Sequence, residues 1–159
     1  MTAACDDASG ARPFPAKAFL LTCLVVSVWI NASEIFRYFI FVMPLTRQTL
    51  ELLPGIAPMN LPVFLVWGVW DTILTVMAVW FCWLHIERFG AGVWSAAASG
   101  TLNWLFLFVL FWMAMLNMGL ARAGTPAIAL PLAWLELVVA AWLAVACFRR
   151  FGALERRST

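Results

Sequence analysis

The chain has 159 residues, of which 65% are hydrophobic and 11% charged, and its formal net charge is +2. Soluble domains carry about 25% charged residues, so this composition and a mean hydropathy of +0.94 exclude an ordinary soluble domain and are typical of a bilayer protein. No basic stripe is present, which excludes nucleic acid as a partner.

Four long apolar segments follow one another along the chain, and each has the roughly 20 residues that a transmembrane helix needs. We predict spans at about 18–45, 61–84, 94–120 and 127–148. Pro44 is expected to close the first span, whereas Pro62 and Pro126 open the second and fourth, where helices tolerate proline. The predicted fold class is an all-α integral membrane protein, a four-transmembrane-helix bundle with both termini cytoplasmic.

The segments outside the membrane bundle (17–148) are short. We predict a cytoplasmic tail at 1–16, an outer loop at 46–60 and a basic cytoplasmic tail at 149–159. The outer loop contains Leu50, Leu52 and Leu53 and is too apolar for a solvated loop. It is expected to lie at the membrane interface or to fold back as a lid.

Lysine and arginine positions predict the orientation. With four spans, both termini lie on one side, and cytoplasmic loops carry the excess of positive charge. Arg47 and Arg122 lie on the other side. The shared side holds Arg12, Lys17, Arg88, Arg149, Arg150, Arg156 and Arg157. We therefore predict a multi-pass protein of a bacterial-type inner (plasma) membrane, N-in and C-in.

Polar side chains inside the spans mark the candidate site. A charged side chain at mid-helix costs about 2.5–3.5 kcal/mol on insertion scales, so such residues face the bundle interior or water. The polar residues of the spans are Asn31, Glu34, Arg37, Asp71, Asn103, Asn117 and Glu136.

In the first span these residues share one face. At 100° per residue, Asn31, Glu34 and Tyr38 lie within an arc of about 60°. Arg37 follows Glu34 at i,i+3, a spacing at which a salt bridge can form. This segment is therefore expected to form one wall of a polar cavity.

The other spans supply the remaining candidates. Trp67 and Asp71 share a face of the second span, and Asn103 and Asn117 are expected to share a face of the third. In the fourth, Glu136 lies in a seam of small residues, which lets helices approach closely and directs it into the bundle. The seam consists of Ala129, Ala133, Ala140 and Ala144.

Depth along the helices predicts where the cavity lies. Asp71 and Glu136 are each about 15 Å from the outer end of their spans, near the midplane, and Glu34 and Arg37 lie in the outer half. Arg37 can neutralise one of the three carboxylates. The others must be protonated, share a proton or face a cation, because an uncompensated charge is costly in hydrocarbon. Tryptophans such as Trp67 and Trp134 are expected to line an aromatic wall.

The arrangement is similar to that of the four-helix sterol-isomerase-like (EXPERA) membrane proteins: four spans, cytoplasmic termini, acids in the first two spans and an outer loop between them. The resemblance implies roles for Glu34 and Asp71, with Asn117, Glu136 and Trp134 as cavity neighbours. Those enzymes use an intramembrane histidine paired with glutamate, whereas His85 lies near the cytoplasmic end and is the one histidine of this chain.

Three hypotheses follow. The first is a protein that binds or translocates a small amphipathic or lipophilic ligand in an outward-facing cavity, coupled to protonation of an acid. The second is a membrane-embedded isomerase or cyclase acting on a lipid or isoprenoid, with Asp71 and Glu136 as catalytic acid and base. The third is an assembly subunit of a larger membrane complex.

The expected partners are membrane lipid, the small ligand, and a second copy or larger complex. We predict no cofactor and no metal. The predicted ligand-binding residues are Asn31, Glu34, Arg37, Tyr38, Trp67, Asp71, Asn103, Asn117, Trp134 and Glu136.

Overall fold

The computed structural model describes residues 14–50 and 60–154, and 87% of these residues are helical, with no strand among them. Four helices are each long and apolar enough to cross a membrane. They are α1 (Ala16–Thr49), α2 (Leu61–Phe89), α3 (Val93–Asn117) and α4 (Gly124–Arg150). The predicted all-α fold with four candidate spans is confirmed, and the chain has the composition of a multi-pass membrane protein.

The orientation of the bundle stays a prediction. Most of the predicted outer loop falls on residues 51–59, which lie outside the described residues, as do 1–13 and 155–159 of the two predicted tails. Residues 46–49 of that predicted loop belong to the last turn of α1.

The helices form an up-and-down bundle in which each packs against its neighbours in the chain. In addition, α1 packs along α4 and closes the ring of four helices. An apolar cluster lies in the half of the bundle that contains the start of α1 and the end of α4. Phe19, Val26, Val79, Cys82 and Phe148 are among its buried members. This packed half supports the opposite half, which contains the buried charges.

The backbones of α3 and α4 approach each other closely at Gly100. A Cβ atom at this position would lie 2.6 Å from the carbonyl oxygen of Leu137, so a side chain cannot fit there without a shift of the backbone. The alanine seam of α4 is buried along this interface and that with α1. Glu136 is buried within it, as the seam predicts.

The expectation that Pro44 closes the first span is wrong, because α1 continues through it to Thr49. A π-helical turn, Tyr38–Val42, ends two residues before Pro44. In it the amide of Met43 donates to the carbonyl of Tyr38, five residues back. The π turn loosens the helical hydrogen-bond ladder where proline can donate no hydrogen bond, so the helix can continue.

Proline at the other helix starts behaves as predicted. Pro62 lies in the first turn of α2, where the side chain of Asn60 caps the helix by accepting a hydrogen bond of 3.1 Å from the amide of Val63. Pro126 lies in the first turn of α4. Pro131 lies inside the same helix.

Candidate functional site

A buried charge network joins α1 to α4. Arg37 forms an ion pair with Glu34, one turn earlier on the same helix, as its i,i+3 spacing predicts. Nε of Arg37 also lies 3.6 Å from Oε2 of Glu136. The three residues are 5%, 7% and 2% exposed, so solvent screens these charges little. One guanidinium therefore serves two carboxylates.

Glu136 is held by two further residues of α1. The hydroxyl of Ser33 donates a hydrogen bond of 2.9 Å to Oε2 of Glu136. The indole Nε1 of Trp29 donates one of 3.0 Å to the backbone carbonyl of Glu136. These bonds fix the carboxylate and its helix against α1, where the network forms.

The guanidinium of Arg37 is covered on another side by an aromatic ring of α3. Its Cζ atom lies 4.7 Å from the ring centroid of Phe108, within the range of a cation–π contact. Its Nε is buried and has no hydrogen-bond partner among the described residues. The contacts of Arg37 thus involve α1, α3 and α4.

Asp71 is the third acid of the site and differs from the other two. It comes from α2, is 6% exposed, and lies within electrostatic range of Glu34, Arg37 and Glu136. Within residues 14–50 and 60–154, its carboxylate makes no hydrogen bond and no ion pair within 4.0 Å, whereas those of Glu34 and Glu136 do. It is a buried carboxylate without a direct partner in the described protein.

Asp71 lines a cavity of about 470 Å³ between α1, α2 and α3. This volume is within the range of small-molecule sites, about 300–1,000 Å³. Most of the wall is apolar or aromatic. The lining residues are Glu34, Arg37, Tyr38, Val42 and Thr46 of α1, Val66, Trp67, Trp70, Asp71 and Leu74 of α2, and Leu107, Phe108, Phe111, Trp112 and Met115 of α3.

The cavity exists because α2 and α3 diverge. They pack against each other through the first half of α3, Val93–Trp104, and make few contacts beyond it. A second π-helical turn, Leu105–Val109, begins where they diverge and contributes Leu107 and Phe108 to the wall. The first π turn contributes Tyr38 and Val42. π-helical turns are often found at functional sites, and here two of them border one cavity.

A second, smaller cavity of about 40 Å³ lies between α1 and α2 on the other side of Asp71. Asn31, Glu34, Tyr38, Trp67 and Asp71 all line it, so the predicted shared face of α1 does meet Asp71 of α2. The volume is sufficient for water. Asn31 also bonds within its helix, donating to the carbonyl of Ser27 at 2.8 Å and to its hydroxyl at 3.1 Å.

Three of the predicted site residues lie elsewhere. Asn103 is half-buried beside a cavity of about 10 Å³ in the packed half of the bundle. Asn117 is exposed at the end of α3 and does not line either acid-containing cavity. Trp134 is also exposed, and its Nε1 donates a hydrogen bond of 3.0 Å to the hydroxyl of Thr101. The structure therefore does not bring these three side chains to the acids.

Several residues of the site were not predicted. Ser33 and Trp29 hold Glu136, and Phe108 covers Arg37. Ser33 gave no signal in the sequence, because serine is common in membrane helices. Phe111 and Trp112 form a wall of the cavity but belong to a continuous aromatic run, in which no single position stands out.

The described residues contain no group of three histidine, cysteine, aspartate or glutamate side chains arranged to hold a metal ion. Comparison of the chain with protein-family models, with curated proteins and with solved structures finds no match. The architectural resemblance to the EXPERA proteins therefore stays a prediction.

Proposed function

We propose that the protein binds a small amphipathic or lipophilic ligand in the cavity between α1, α2 and α3. The observation that carries this proposal is the position of Asp71, a buried carboxylate without a direct protein partner among the described residues, on the wall of a cavity of about 470 Å³. Ligand sites are mostly apolar with a few polar groups that fix orientation, and this cavity has that composition.

The cavity lies in the half of the bundle that is distant from the start of α1 and the end of α4. With the termini in the cytoplasm, as the positive-inside rule predicts, it belongs to the outer half of the membrane. The gap between α2 and α3 is then a path by which a lipophilic molecule can arrive from the bilayer. Release on the other side of the membrane, coupled to proton movement on the acids, would make the protein a transporter.

The geometry gives less support to catalysis by Asp71 and Glu136 together. A general acid or base must reach the substrate within hydrogen-bond distance. Asp71 lines the cavity, whereas Glu136 lies behind Arg37, does not line the cavity, and already accepts a hydrogen bond from Ser33. Asp71 of α2 is therefore available to a ligand, whereas Glu136 belongs to the supporting network.

Native mass spectrometry of the protein, purified in mild detergent from the membranes in which it is made, tests the proposal. We expect a co-purified molecule on the wild type. Leu107→Trp fills the cavity and should remove that molecule, while Leu110→Trp, at an exposed position of the same helix that does not line the cavity, should retain it. A folded wild type without any bound molecule, or one whose bound molecule persists in Leu107→Trp, would contradict the proposal.

A further inference from the structure

We infer that the ligand of this cavity is a lipophilic organic cation and that Asp71 is its counter-ion. This inference rests on the proposed function, because it requires that the cavity between α1, α2 and α3 accept a ligand. It specifies the chemical class of that ligand from the charges and surfaces that face it.

The charge balance of the site favours a cationic ligand. Arg37 contacts Glu34 and approaches Glu136, so the one guanidinium is engaged by two carboxylates. Asp71 is only 6% exposed, yet it has no ion pair or hydrogen bond among the described residues. Burying an unpaired carboxylate is costly. A cation placed in the cavity beside Asp71 would offset that cost, whereas an anionic molecule would add to it.

The aromatic wall of the cavity also favours a cation. Ring faces carry partial negative charge and attract cations, most strongly in tryptophan and in desolvated sites. Trp67 and Trp70 lie on the same helix as Asp71, one turn and one residue before it. Phe111 and Trp112 lie on α3, and all four rings line the cavity. The cavity is thus lined by aromatic rings and by Asp71.

The charges around the cavity disfavour an anionic ligand. Within the described ranges, Arg37 is the one basic residue that lines the cavity. Its guanidinium is occupied by the ion pair with Glu34 and by the ring of Phe108, 4.7 Å from Cζ to the centroid. An anionic ligand would have to compete with a carboxylate of the same helix for this group and would be repelled by Asp71.

The composition of the wall favours an organic cation over a metal ion. Hard metal ions take several oxygen ligands at once. The described residues contain no cluster of three such side chains, and most of the cavity wall is apolar. A volume of about 470 Å³ suits a molecule with an apolar body.

Three ligands of matched size and shape test the inference: tetraphenylphosphonium, tetraphenylsilane and tetraphenylborate, which are cationic, neutral and anionic. Binding of each would be measured by equilibrium dialysis against the full-length protein in nanodiscs, with empty nanodiscs subtracted to remove partition into lipid. We expect saturable binding of tetraphenylphosphonium only. Asp71→Asn, which keeps the shape of the side chain, should weaken it about ten- to hundredfold, as expected for loss of a charge-assisted contact.

Glu87→Gln is the matched control, since Glu87 is an exposed carboxylate near the other end of α2 and should leave the affinity unchanged. Equal binding of the cationic and neutral ligands, or wild-type affinity in Asp71→Asn, would overturn the inference about charge and leave the proposed function intact. Failure of all three ligands to bind would overturn both. If Asp71→Asn does not fold, the comparison of the three ligands on the wild type decides alone.

Discussion

Removing the guanidinium of Arg37 should destabilise the protein severely. Arg37→Met keeps an apolar side chain of similar length and removes the ion pair with Glu34, the 3.6 Å approach to Glu136 and the contact with Phe108. The two carboxylates are 7% and 2% exposed and cannot be compensated by solvent. Breaking a buried pair by removing one partner costs about 3–5 kcal/mol, which corresponds to a loss in Tm of about 6–20 °C for a domain of this size.

Thermal unfolding of the purified protein in a mild detergent measures this change. Arg122→Met is the control, because Arg122 is exposed in the turn between α3 and α4 and its loss should change stability by less than about 0.5 kcal/mol. The triple variant Arg37→Met, Glu34→Gln, Glu136→Gln has no uncompensated charge in this pair of contacts and should recover more than half of the loss. A single variant as stable as the wild type, or a triple variant no better than the single one, would refute the reasoning.

Three smaller changes have expected magnitudes of their own in the same unfolding measurement. Ser33→Ala leaves a buried carboxylate oxygen of Glu136 without its 2.9 Å hydrogen bond and should cost about 1–3 kcal/mol. Thr72→Ala, at an exposed position, should cost less. Equal losses would show that the hydrogen bond of Ser33 does not stabilise the protein. Phe108→Leu removes the cation–π contact and should lower the free energy of unfolding by about 0.5–2 kcal/mol in the wild type. In the Arg37→Met background the same change should cost much less. Full additivity of the two changes would argue against the contact. Gly100→Ala brings a Cβ atom to 2.6 Å from a carbonyl oxygen and should cost about 1–3 kcal/mol. Gly68→Ala meets no atom within 4 Å and should be tolerated. A Gly100→Ala variant as stable as the wild type would mean that α3 and α4 lie further apart.

Most of the fold could be predicted because membrane helices are encoded by long apolar runs. The four runs gave the number and order of the helices, and the fold is confirmed at that level. Local spacing also predicted the pair of Glu34 and Arg37, since both lie on one regular stretch of α1. The alanine seam predicted that Glu136 faces the interior, because small residues mark the side on which helices meet.

The third helix was predicted less well because it is not a regular α-helix throughout. The spacing of Asn103 and Asn117 was interpreted at 100° per residue, which does not hold across the π turn Leu105–Val109. Asn117 therefore does not join the acids. Phe108, within that turn, does contact Arg37. The sequence contains no clear signal for a π turn inside an aromatic run.

The aromatic walls depend on tertiary packing rather than on sequence pattern. Tryptophan occurs in all four helices, so its presence near an acid in the sequence has little predictive value. Trp67 and Trp70 line the cavity, whereas Trp134 faces outward and bonds to Thr101. Which of them meet is decided by the divergence of α2 from α3, a property of the whole bundle.

Photoaffinity labelling tests the central claim most directly, because it reports where a ligand lies. The full-length protein in nanodiscs would be labelled with an alkylammonium that carries a diazirine on its chain, and the modified peptides would be identified by mass spectrometry. We expect modification within residues 66–74 of α2 and 107–115 of α3, and loss of this modification in Asp71→Asn. Labelling confined to lipid-facing positions such as Leu20, Leu24 and Val28, and unchanged in Asp71→Asn, would contradict it.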